Sequence, residues 1–218
     1  MNAPTPTLMN PSAERVVIAA FDFDGTLTRG DTLIPFLRCS LGLGLFCRAL
    51  VLSSPWLMAY LLRLISNERA KARLLRVSVA GWSRQQALLR AEQFVRQALP
   101  AMWRGAALQQ LRDHQQRGHR CVLVSASPDL YLEAVARTLR VDGLICTRMA
   151  VDHGLYTGDL STPNCYGPQK VIRLEAWLRD HIGAQAFELY AYGDSAGDRE
   201  LLAIADHAWL RGRPQGGK

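Results

Sequence analysis

A chain of 218 residues, 49% apolar and 21% charged, holds enough apolar material for one sizeable core, or one core with a small satellite, and is not an intrinsically disordered composition. Its five cysteines form no C-x-x-C pair and have no zinc-ligand spacing, which argues against a disulfide scaffold or zinc module and reads as reduced thiols in a cytoplasmic protein. The formal charge of +7 is uneven: Thr32 to Arg112 carries twelve basic residues and two acids, a net +10, which fits either a solvated basic face or a surface that meets anions.

Residues 1–14 are rich in Pro, Thr, Asn and Ser, have no basic start followed by an apolar run, and read as a loose tail rather than a secretory signal. Val16 to Phe21 is a continuous apolar run that reads as a buried parallel strand and ends in Asp22-Phe23-Asp24-Gly25-Thr26. Residues 31–100 then show helical patterns and no convincing strand, an inserted helical cap. Within it, Leu41 to Ile65 has only Arg48 and Arg63 charged, and the uncharged run between them contains Ser53, Ser54 and Pro55. That run is shorter than the ~20 apolar residues of a spanning helix. Two readings stay open. Leu57, Met58, Leu61 and Leu62 pack inside the cap, or the stretch rests on an anionic membrane surface with Trp56 and Tyr60 at the interface.

The rest alternates. Arg104 to Gln116 is a helical pattern ended by Gly118. Arg120 to Ser125 is a strand, followed by Ala126 and a helix over Asp129 to Leu139, with Ser127 as its expected cap and Pro128 in its first turn. Ala150 to Leu160 reads as a hairpin flap, Gln169 to His181 as a helix ended by Gly183, and Phe187 to Tyr192 as a strand. Gly193-Asp194, a helix through Leu202 and a short strand over His207 to Leu210 close the chain. This alternation predicts an α/β fold, a doubly wound parallel sheet formed by 15–30 and 101–218.

The chemistry-bearing residues fall at strand ends, where open parallel sheets bind ligands. Asp22 and Asp24, two apart, can supply a nucleophile and a proton donor for phosphoryl transfer. Gly25 lets the backbone approach a phosphate, and Thr26 adds a hydroxyl. Ser125 and the Ala126 N–H stand before a helix, a ready anion site. Lys170 is one of three lysines among 26 basic residues. Asp194 and Asp198 add hard oxygen ligands of the kind magnesium prefers.

In this order, Asp22-Phe23-Asp24-Gly25-Thr26-Leu27-Thr28, Ser125, Lys170 and Gly193-Asp194 with Asp198 resemble the four motifs of the haloacid dehalogenase superfamily, across nearly the whole chain. The helical insert and Pro163 to Lys170 resemble the phosphoserine-phosphatase-like branch, subfamily IB. The resemblance implies a Rossmann-like core and a phosphomonoester phosphatase with Asp22 as nucleophile and Asp24 as general acid–base. It implies Gly25, Thr26, Ser125, Ala126 and Lys170 at the phosphate, Mg2+ held by Asp22, the Asp24 carbonyl and Asp194, and Asp198 in support. Asp24 with Phe23 favours a phosphatase, or a phosphotransferase, over the superfamily's dehalogenases, which lack an acid at the Asp24 position, and over its transport ATPases, which carry Thr there. Gly197 stands where phosphoserine phosphatases usually have Asn, Asp31 where they have Glu, and Ala126 where they have Gly.

The implied substrate is therefore a small phosphorylated metabolite, phosphoserine-like, or a phospholipid headgroup phosphate. A phosphotransferase using the same phospho-Asp22 and a membrane-surface phosphate-binding protein without turnover remain as alternatives. No motif points specifically to nucleic acid.

Overall fold

The computed structural model describes residues 15–216, so the tail expected over 1–14 lies outside the described residues. Strand β1 (Val16–Phe21) leads into a tight turn, Phe23–Leu27. Three helices follow: α1 (Leu33–Leu61), α2 (Asn67–Val79) and α3 (Arg84–Gln97). Then come α4 (Gly105–Gln116), β2 (Arg120–Pro128), α5 (Asp129–Leu139), β3 (Gly143–Thr147) and the hairpin β4 (Met149–Asp152) and β5 (Leu155–Leu160). The chain closes with α6 (Pro168–His181), β6 (Phe187–Gly193), α7 (Arg199–Ile204), β7 (His207–Leu210) and β8 (Arg213–Gln215).

The main sheet runs β3-β2-β1-β6-β7-β8, parallel except for β8, which pairs antiparallel with β7. Alternate residues of β1 face opposite sides, as the two-residue period requires. Ala19 and Phe21 pack with Leu111 of α4 and Leu130 of α5, whereas Ile18 and Ala20 pack with Leu174 of α6 and Leu201 of α7. The sheet is therefore doubly wound. β1 lies at its centre between β2 and β6, with Phe21 opposite Leu123 on one side and Tyr192 on the other. That register brings Asp22, the end of β2 and Asp194 to one edge.

Three local expectations change. β2 continues through Pro128, with a register shift between Ser125 and Pro128, and Pro128 itself takes the N-cap of α5. Ser127 caps nothing; its hydroxyl is committed to Asp24. β3 and β8 also form, from short stretches without a distinctive alternation.

The insert packs on the core through aromatic rings. Phe36 of α1 stacks on Tyr131 of α5 at 4.6 Å, and Phe94 of α3 meets both edge-on, at 5.6 and 5.7 Å. The hairpin also serves the insert: Gly81 N donates to Tyr156 O and Tyr156 N to Trp82 O, both at 2.8 Å. Helix α1 is broken at Gly42, whose φ of 70° suits glycine. Before the break, Leu33, Phe36 and Leu37 are buried; after it, only Phe46, Ala49 and Ser53 are. Met58, Leu61 and Leu62 are exposed, which overturns the reading that buries them inside the cap.

Phe94→Ala removes the ring that wedges the insert against Tyr131. Loss of a fully buried aromatic should cost about 3–5 kcal/mol, measured as the shift in urea unfolding. A change below about 1 kcal/mol would mean the insert does not depend on this cluster.

Candidate active site

The carboxyl ends of β1, β2 and β6 meet the insert around a cavity of about 490 Å3. Its lining includes Asp22, Asp24, Gly25, Ala126, Lys170 and Asp194 from the core, and Leu57, Tyr60, Lys71 and Leu74 from the insert.

Lys170, on the first turn of α6, is 2% exposed. Its ammonium donates to Asp22 Oδ1 at 2.7 Å and Asp198 Oδ1 at 2.6 Å. An ammonium carries three protons, so one remains for a further acceptor. Burial disfavours its charge, but Asp22 and Asp198 outweigh burial and hold its pKa above the usual lysine range. Removing one member of such a buried set strands the others, at about 3–5 kcal/mol.

Asp22 is buried, and its Oδ2 accepts from Thr26 Oγ1 at 3.0 Å. Burial pushes its pKa up to about 7, Lys170 opposes this, and Asp198 adds to it. Asp198 is fully buried. Besides Lys170, it accepts from the main-chain N of Asp194 at 3.1 Å and from the N and Oγ of Ser195, each at 3.0 Å. Burial alone would raise its pKa; Lys170 and these donors bring it below the usual carboxylate range. Asp198 thus fixes the turn that presents Asp194.

Carboxylate oxygens of Asp22, Asp194 and Asp198 lie within 4.8 Å of one another. Asp198 is saturated by its donors, so Asp22 and Asp194 are the acids free to bind a cation. Among the described residues, no hydrogen bond reaches the Asp194 carboxylate, and burial with Asp198 nearby raises its pKa. Three carboxylates around one lysine leave excess negative charge, and the donors are hard oxygens, so the set fits a divalent cation such as magnesium. Gly25, at φ 79°, abuts Asp194, and a Cβ there would overlap that carboxylate. The Gly25 N–H is bonded to Thr28 Oγ1 at 3.3 Å.

Asp24 points toward the insert. Its Oδ1 accepts from Thr32 N at 2.8 Å and Thr32 Oγ1 at 2.7 Å, and its Oδ2 from Ser127 Oγ. Tyr131 Oη lies 2.9 Å from both Ser127 Oγ and Thr32 Oγ1, which closes a ring of hydroxyls around the carboxyl. Burial first, then Asp31, raises the pKa of Asp24; Ser127 and Thr32 resist. Ser125 is buried on the same strand, and its Oγ accepts from Ser127 N at 3.1 Å.

Thr32, Ser127 and Tyr131 carry no sequence signal as site residues, because a threonine, a serine before proline and a tyrosine on an apolar helix face each have an ordinary structural reading. Lys71 had a signal in the rarity of lysine. It reaches from α2 to donate to Ala126 O at 2.8 Å; burial lowers its pKa, opposed by Asp24 and Asp31. Arg104 also donates to Gly25 O at 2.9 Å.

Residues 19–203 match the family model for haloacid dehalogenase-like hydrolases. The chain is 37% identical over 202 residues to Protein CicA of Caulobacter vibrioides, covering 91% of this chain and 88% of that protein. It is 28% identical over 199 residues to a probable phosphatase of Mycobacterium tuberculosis, covering 87% of this chain and 67% of the relative. Among solved structures, a protein of unknown function from Bordetella pertussis superposes with a TM-score of 0.77 at 25% identity, over 90% of both chains. A substrate-bound phosphoserine phosphatase shares the fold at a TM-score of 0.58 and 16% identity, over 89% of this chain and 85% of that one. With a matching family model over most of its length, a doubly wound core and acids at the ends of β1 and β6, this chain belongs to the haloacid dehalogenase-like hydrolases.

Proposed function

We propose that the protein is a magnesium-dependent phosphatase that hydrolyses phosphate monoesters through a phospho-aspartate on Asp22. The observation that carries this reading is the convergence of Asp22, Asp24, Lys170 and Asp194 on one cavity. An Asp22 oxygen attacks phosphorus, the bond from phosphorus to the ester oxygen breaks, and the departing oxygen takes a proton from Asp24. Water then attacks the phosphorus of the acyl phosphate, Asp24 takes up its proton, and phosphate leaves with Asp22 restored. Throughout, Lys170 orients Asp22 and offers its third proton to a phosphate oxygen; Ser125 Oγ and the Ala126 N–H complete the phosphate cradle, and Thr26 steadies the nucleophile. Magnesium, held by Asp22, Asp194 and the Asp24 carbonyl, would offset the charge of the transferring group.

The raised pKa of Asp24 suits an acid that must arrive protonated. Domain boundaries follow the same reading: 15–30 and 101–218 form the catalytic core, and 31–100 a cap over it. A phosphotransferase would share every step up to the acceptor, and release of free phosphate separates the two. A binding protein without turnover has no need of the paired Asp22 and Asp24. We further infer a cytoplasmic enzyme, peripheral at the inner face of the membrane. Five unpaired cysteines and the basic, apolar insert are the support.

Three outcomes test this reading. Asp22→Asn should lower phosphate release by about a thousandfold or more with the fold retained; activity within about tenfold of wild type would remove Asp22 as the nucleophile. Asp24→Asn should cost about tenfold on p-nitrophenyl phosphate, whose leaving group needs no proton, and about a hundredfold or more on an alkyl phosphate. Equal losses would refute the proton-donor role. Chelation should abolish turnover, magnesium should restore it, and Asp194→Ala should raise the magnesium requirement by about tenfold or more. Full activity in excess chelator would sink the metal assignment.

A further inference from the structure

Helix α1 beyond Gly42 is apolar on nearly every side. Over the most apolar 18 residues of the whole helix, which cross the Gly42 break, the mean hydropathy is 1.6, yet only 28% of them are buried. A helix apolar all round belongs in a core or in lipid. Here the buried positions Phe46, Ala49 and Ser53 form one stripe, which packs toward α2 and α3. Leu43, Leu45, Val51, Leu52, Met58 and Leu61 stand in solvent, Leu43 at 67% and Leu61 at 71%. Exposed apolar surface of this extent marks an interaction site.

Two further observations say what covers it. The first is charge. Arg48 and Arg63 are exposed along the same stretch, Arg73 lies over the Trp56 ring at 4.3 Å, and Arg69 lines the same depression as Trp56. Arginine with tryptophan beside an apolar face complements anionic headgroups above acyl chains. The second is continuity with the active site. Leu57 and Tyr60, on this helix, line the active-site cavity together with Ile34, Leu33 and Leu74, and Tyr60 and Ile34 are themselves exposed at its rim. The cavity is therefore acidic and lysine-bearing at the sheet edge and apolar where it opens toward α1.

The geometry points to a bilayer-bound enzyme: Leu43–Leu61 lies in the interface of an anionic membrane, and the substrate is a lipid phosphomonoester taken from that surface, its phosphate on Asp22 and its apolar part against Leu57, Tyr60 and Ile34. The helix lies on the bilayer rather than through it, because its Phe46–Ala49–Ser53 stripe remains packed on protein. The substrate half rests on the phosphatase reading.

The test uses the full chain with magnesium. Sedimentation with phosphatidylcholine vesicles, with and without about one-third phosphatidylglycerol, is run at low and high salt. Phosphate release is compared on phosphatidic acid in those vesicles, glycerol 3-phosphate and p-nitrophenyl phosphate. Binding should require the anionic lipid and weaken about tenfold or more in high salt. Phosphatidic acid should exceed glycerol 3-phosphate by about tenfold or more in kcat/KM. The double variant Leu45→Glu with Leu52→Glu, both outside the cavity, should lose vesicle binding and vesicle turnover while p-nitrophenyl phosphate hydrolysis, the check on folding, stays within about twofold.

Should that variant lose the soluble activity as well, Arg48→Gln with Arg63→Gln is read in its place and should weaken anionic-vesicle binding alone. No binding to anionic vesicles at low salt overturns the membrane half, as does a dimer by light scattering that the double variant dissolves. Equal turnover of glycerol 3-phosphate and phosphatidic acid overturns the substrate half and leaves the phosphatase reading standing. Intact vesicle binding with no phosphate from any of the three esters overturns the phosphatase reading and the substrate half with it.

Discussion

Everything at the end of the sheet depends on one buried cation. Lys170 is almost wholly buried, and it stays charged because Asp22 and Asp198 both accept from it. The arrangement is a constraint as much as a stabilisation. A buried carboxylate pair without the ammonium would repel, and the ammonium without the pair would lose its proton. Lys170 therefore fixes the separation of two acids that come from different strand ends. Asp198 spends its remaining oxygen on the Asp194–Ser195 main chain. One ammonium thus positions the Asp22 carboxylate directly and the Asp194 carboxylate through a relay.

The two acids of the first turn meet different surroundings two residues apart. Asp22 faces the core lysine and the acidic cluster. Asp24 faces Thr32, at the start of the insert, and Ser127, at the end of β2. Gly25 makes this divergence feasible, since its positive φ turns the chain sharply and its missing side chain leaves room for Asp194. Identical side chains two residues apart acquire different electrostatics because their burial and partners differ.

Much of this was legible in the residues. Apolar runs ending in Asp22, Ser125 and Gly193 mark parallel strands and, by their carboxyl ends, the site. Helix stops at Gly118 and Gly183 come from the same local physics. The hydroxyl ring around Asp24 was not legible, because Ser127 before Pro128 has the same sequence as a helix cap, and only the extension of β2 turns it inward. β3 is not legible, because five residues between a helix and a hairpin carry too few alternations to announce a strand. The exposed face of α1 was undecidable from composition, since leucines read alike whether they meet protein or solvent. The packing of α2 and the hairpin decides it.

Tyr131 belongs to two bodies at once. Its ring is held between Phe36 and Phe94, and its hydroxyl closes the ring of oxygens around Asp24. The side chain is a rigid lever about one phenol long, with its fulcrum in the aromatic cluster and its tip at the acid. Any shift of α1 relative to α5 must change the reach from that hydroxyl to Thr32 Oγ1, and with it the set of hydroxyls from which Asp24 accepts. The position of the insert and the hydrogen bonding of the Asp24 carboxyl are therefore not separate degrees of freedom in this molecule.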